Sequence, residues 1–91
     1  MGNLTCFSVP GLTLWFNSND HRPPHFHAEK TDTWEVRVFF LQDGKAMFET
    51  VWPMSKPPRA AELRALAKVV EGHRAELLEE WERSVNVKEP G

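Results

Sequence analysis

The chain has 91 residues and a formal net charge of -2, which leaves room for one modest core and gives no overall basic field that would gather nucleic acid. Six Phe and four Trp supply bulky core material and exclude disorder throughout. A lone cysteine, Cys6, excludes an internal disulfide and predicts an idle thiol in a reducing cytoplasm, and no run approaches the ~18 apolar residues of a membrane span.

Residues 1–10 are weakly patterned. Leu12, Leu14 and Phe16 then alternate, which predicts a strand near 12–16, and Asn17-Ser18-Asn19-Asp20 ends it because such side chains bond their own backbone. Pro23 and Pro24 fix φ and disfavour a helix, so the next stretch, 25–30, is predicted to be extended. In that strand Phe26, Ala28 and Lys30 face one way, while His25, His27 and Glu29 face the other.

Trp34, Val36, Val38 and Phe40 alternate through a third strand, 34–41. With Thr31-Asp32-Thr33 as a three-residue loop, Lys30 pairs with Trp34, Ala28 with Val36 and Phe26 with Val38, so the apolar side chains share a face. A two-residue loop would turn the histidines towards Trp34. The preferred register also sets His27 across from Arg37 and Glu29 across from Glu35. Asp43-Gly44 predicts a type I′ turn into a fourth strand, 46–52. That turn pairs Phe40 with Met47, Val36 with Val51, Phe39 with Phe48 and Arg37 with Thr50. Phe39, Phe48 and Trp52 would then flank the histidines, a surface expected to be covered.

Beyond Pro53, Ser55 is the predicted N-cap, with Pro57 and Pro58 in the first turn. Leu63, Leu66, Ala67, Val70, Leu77, Leu78, Trp81 and Val85 recur at helical spacing, predicting one helix near 57–85 with Gly72 as the point where it could bend. A helix that long exceeds a small sheet. Its Leu77, Leu78 and Trp81 are expected either to self-associate or meet a partner, or to be covered by the sheet and the N-terminal segment. Glu76, Glu79, Glu80 and Glu82 read as a solvated face, His73 as structural, and 86–91 as a loose tail. The fold class is α+β: one domain, 1–91, with an antiparallel sheet of three to four strands packed against one long C-terminal helix.

Three of the four histidines lie within seven residues, at positions 21, 25 and 27. Asp20, His21, Arg22, His25, His27, Glu29 and Arg37 form the candidate ligand-binding set. His25, His27 and Glu29 could hold a divalent metal cofactor such as zinc, although Arg37 opposite His27 would repel it. The same imidazoles with Arg22 and Arg37 suit an anion better, and His21, His25 and His27 are candidate acid–base groups for an RNA phosphodiester. The plainer alternative has His21 bonding turn carbonyls and Glu29 in an ordinary cross-strand pair.

The run Asn19-Asp20-His21-Arg22-Pro23-Pro24-His25-Phe26-His27-Ala28-Glu29, together with His-Arg-x-Glu-Leu-Leu-x-x-Trp from His73 to Trp81, resembles the family called domain of unknown function 4160. Arg22 stands where that family typically has Asn, and Lys30-Thr31-Asp32 where it has Tyr-Gly-Gly. The resemblance implies a small bacterial protein, suspected of belonging to a toxin–antitoxin-like gene pair, and supplies no catalytic residues. The sequence therefore predicts a cytoplasmic module, away from membranes, that binds a protein partner or RNA through a histidine-rich strand face. The alternatives are a histidine-dependent ribonuclease or metal-dependent hydrolase, and a structural module that dimerises through its helix.

Overall fold

A computed structural model describes residues 2–85 other than Ser18 and Asp20. The expectations for Asp20 as a ligand-binding residue and for the tail 86–91 lie outside the described residues. Among the described residues five strands form one antiparallel sheet in chain order: β1 (Gly2–Asn3), β2 (Thr13–Phe16), β3 (Phe26–Lys30), β4 (Trp34–Val38) and β5 (Phe48–Trp52). Two helices follow, α1 (Ala60–Glu71) and α2 (Arg74–Ser84). The fold is α+β, with a two-residue edge strand added to the expected four and two helices in place of one. No helix among the described residues is long and apolar enough to cross a membrane.

Alternation decides which side of the sheet is covered. Leu14 and Phe16 of β2, Phe26 and Ala28 of β3, and Trp34, Val36 and Val38 of β4 are all buried and meet Leu66 and Val70 of α1 and Leu77 and Trp81 of α2. Phe16 is the hub, with its ring edge-on to Phe26, Phe40 and Trp81 at centroid separations of 6.5, 6.5 and 6.0 Å. Each such ring withdrawn from water contributes roughly 1.5–3 kcal/mol. The β3–β4 register has Lys30 opposite Trp34, Ala28 opposite Val36 and Phe26 opposite Val38, as the three-residue loop requires.

The β4–β5 register differs from the expectation. Val36 pairs with Thr50, Arg37 with Glu49 and Val38 with Phe48, one residue away from the predicted alignment, and a bulge lies between Glu35 and Val36. Asp43 has φ -121°, so the type I′ turn, which needs positive φ at both central residues, does not form even though Gly44 has φ +59°. The strand stops at Val38, and residues 39–43 swing out before a 3-10 turn at Gly44–Met47. Arg74 is the physical reason. From α2 its Nε donates to the Phe40 carbonyl (2.8 Å), and its Nη2 donates to the Gln42 carbonyl (2.8 Å) and to Asp43 Oδ1 (2.6 Å). The wider loop also lets both Phe40 and Met47 enter the core, where each is fully buried.

The predicted single helix is corrected to two. Its start moves as well: Ser55 lies in an exposed turn, and α1 opens at Ala60 after the two prolines, with Glu62 Oε1 accepting the Arg59 N–H at 3.2 Å. The break at Gly72-His73 is stabilised by a side chain, because His73 Nδ1 donates to the Val69 carbonyl at 2.8 Å, a group the ending helix would otherwise leave unpaired. His73 packs against Phe7, 5.0 Å between ring centroids, so it is structural, as its setting beside Gly72 suggested. The break lets α2 lie back on the sheet. Leu77 and Trp81 are buried within the chain and Leu78 is half-buried against the same core, the arrangement in which the sheet and the N-terminal segment cover the helix.

Glu80 overturns another expectation. It is 4% exposed, not part of a solvated face, and accepts the Thr5 N–H at 2.9 Å and the Cys6 N–H at 3.2 Å. Two backbone donors of the poorly patterned N-terminal segment thus find a buried carboxylate. Burial and the Glu80 carboxylate push the Cys6 thiol up from 9.0 to about 11, which keeps it protonated and unreactive near neutral pH.

Candidate functional site

Cross-strand pairing assembles one row on the outer face of the sheet: Trp15 of β2, His27 of β3, Arg37 of β4 and Glu49 of β5 are successive partners. Trp15 is the odd member of the β2 alternation, so it projects away from Leu14 and Phe16. Its indole stacks on the His27 ring, with centroids 5.3 Å apart and planes inclined by 16°. On the other side Arg37 forms an ion pair with Glu49. The guanidinium expected to draw an anion towards His27 therefore already has a carboxylate beside it.

His27 is 5% exposed and His25 6%, although the sequence places both on the sheet's open face. Asn17 Nδ2, just past the end of β2, donates to His27 Nε2 at 3.1 Å. That contact makes Nε2 the acceptor and assigns the ring proton to Nδ1, which lies 3.7 Å from Glu35 Oε2. His25, one residue before β3, donates from Nδ1 to the Pro23 carbonyl at 2.9 Å. Its ring sits 5.2 Å from His27, 5.1 Å from Phe39 and 5.8 Å from Trp81, centroid to centroid. The two imidazoles thus join the exit of β2, the proline turn and α2. The Arg22–Pro23 peptide bond within that turn is cis.

The remaining predicted residues fall into two groups. His21 and Arg22 lie exposed on the connection between β2 and β3. Glu29 lies further along β3, half-buried and paired across to Thr13 and Glu35. Among the described residues no three His, Cys, Asp or Glu side chains converge as a metal-holding group, so His25, His27 and Glu29 are not gathered as the sequence suggested. Glu35, the diagonal neighbour on β4, is the acid that reaches His27. The aromatic flank also changes with the register shift. Phe48 packs against the core, Phe39 covers His25, and Trp52 is half-buried at the end of β5.

Trp15, Asn17, Glu35 and Trp81 were not among the sequence candidates. A signal existed for Trp15 and Glu35, which share the His27 face by alternation. None existed for Asn17 or Trp81, whose contacts depend on how the connection and α2 return to the sheet. The family model described as Domain of unknown function (DUF4160) matches residues 11–82, a span holding both the histidine run and the His73–Trp81 stretch. The chain belongs to that family. In this DUF4160 protein the second stretch has assignable work: His73 ends α1, Arg74 clamps the 39–43 loop, Leu77 fills the core, and Trp81 touches Phe16 and His25. No curated protein and no solved structure matches the chain.

Proposed function

We propose that this DUF4160 chain is a binding module, and that the exposed residues 21–23, on the connection between β2 and β3, are what a protein partner contacts. The burial of His25 and His27 carries this reading. Their ring atoms bond Pro23 and Asn17, so the imidazoles act as braces at the two ends of the connection. Residues 21–25, held through Pro23 in this way, have less conformational entropy to lose on binding. Acid–base chemistry on an RNA phosphodiester would need a ring nitrogen facing substrate, and the arrangement around His27 favours bracing over that role. The net charge of -2 and the Arg37–Glu49 pair favour a protein over RNA. A cytoplasmic protein of a toxin–antitoxin-like pair would be a partner of this kind.

A photo-crosslinking residue replacing His21, compared in cells with one replacing the exposed Glu79 on α2, tests the reading. We expect a discrete, protease-sensitive adduct from position 21 that is absent from position 79. It should weaken in the His27→Ala variant, in which the brace is gone. A nuclease-sensitive adduct would transfer the surface to RNA, and equal labelling from both positions would remove it as a recognition element.

A further inference from the structure

A second concave site lies away from the histidines. The β3–β4 turn, the end of β5 and the approach to α1 enclose a groove of about 760 Å³, lined among others by Trp34, Trp52, Lys56, Arg59, Ala61 and Glu62, a size in the range of small-molecule sites. Its charges are unevenly satisfied. Lys30 and Glu62 pair at 3.0 Å, and that lysine, with the Arg59 amide and the Trp34 indole, holds the Glu62 carboxyl below its ordinary range. Lys56 and Arg59 have no acidic partner among the described residues. Ala60 and Ala61, the first helical residues of α1, carry amide groups of the kind that a helix start leaves unpaired. Trp34, 3% exposed, forms the buried wall of the groove, with its indole N–H turned towards the Glu62 carboxylate.

We propose that this groove binds a phosphorylated nucleoside, with the phosphate between Lys56, Arg59 and the start of α1, and the base against the Trp52 ring. Two cations and helix amides recognise a phosphate, and an indole face accepts any base. The chemistry is the same for a free mononucleotide and for the phosphorylated end of an RNA strand. It is independent of the reading of the β2–β3 connection, because no residue is shared between the two surfaces.

Calorimetry on the full chain, with amide NMR shifts to locate the site, should use AMP, adenosine, inorganic phosphate and a trinucleotide with and without a 5′-phosphate. Saturable binding of AMP or of the phosphorylated trinucleotide is expected, with shifts confined to the residues around 30–34 and 52–62 that line the groove. Removing the phosphate, or making the Lys56→Ala/Arg59→Ala variant, should weaken binding about tenfold or more. Both side chains are exposed, so the variant should fold normally. AMP binding assigns the site to free nucleotides, and binding of the phosphorylated trinucleotide alone assigns it to RNA ends. If neither AMP nor the phosphorylated trinucleotide binds, the proposal is overturned. So does phosphate binding as tightly as AMP, or unchanged affinity in the double variant.

Discussion

Strand β4 is joined to its two neighbours by connections of opposite kind. The Thr31–Thr33 turn is made from its own residues: Thr33 N–H donates to the Lys30 carbonyl at 2.8 Å, Thr33 Oγ1 donates to the Thr31 carbonyl at 3.0 Å, and Asp32 takes the positive φ of 56°. Residues 39–47 have bonds of their own, Gln42 N–H to the Phe39 carbonyl at 2.9 Å and Phe39 N–H to the Met47 carbonyl at 2.7 Å, but they are also held from a distance, by Arg74 some thirty positions along the chain. A local turn can be deduced from the pattern on either side of it. A clamped loop takes whatever path its clamp and its buried side chains impose, and Asp43-Gly44 yields to them.

The strongest way to break this contrast is to remove the clamp. Arg74→Ala takes away a charged donor from two backbone carbonyls, and we expect a loss of about 2–3 kcal/mol in urea unfolding. The exposed Asp43 contact supplies little of it. NMR shifts should concentrate in 39–47 and spare the 31–33 turn. Arg74→Lys should recover only part of the loss, since an ammonium lacks the planar fork that serves several acceptors at once. Equal disturbance of both connections in Arg74→Ala would mean that the 39–47 loop is not separately held.

The same division runs through what could be deduced from sequence. The α+β class, the β3–β4 register and the placing of His27 opposite Arg37 all follow from period-two alternation and one loop length, which are local quantities. The β4–β5 register, the burial of Glu80 and the neighbours of His25 do not, because each depends on where a helix returns in space. Glu80 shows this plainly. Its charged neighbours Glu79 and Glu82 are exposed, and only the N-terminal segment crossing α2 makes its position an interior one. At the candidate site, the pattern identifies His27 and its strand face but not Asn17, the residue that makes its ring a brace.

A smaller effect is expected at Gly44. A Cβ built there meets nothing within 4 Å, yet φ is +59°, so the cost of Gly44→Ala is conformational only, about 1 kcal/mol. Urea midpoints of Gly44→Ala in the parent chain and in the Arg74→Ala background would sharpen the comparison. If Arg74 imposes the loop's path, the glycine should matter less once the clamp is gone.

The smallest effect belongs to the locally made turn. Its end is fastened to α1 by Lys30 and Glu62, which remain partly exposed. Because the Glu62 carboxyl is held below its ordinary value of 4.5, chiefly by the hydrogen bond from Lys30, the ionised form is the one the fold prefers. The unfolded chain takes up this proton near 4.5 and the folded chain only at lower pH. The contribution is therefore complete above about 4.5 and fades as pH falls through the folded value. Glu62→Gln should shift thermal midpoints downward slightly at pH 7 and converge with the parent chain in acid. A difference that instead grew on acidification would show that Glu62 acts through something other than its charge, and the fastening of this turn to α1 would need another explanation.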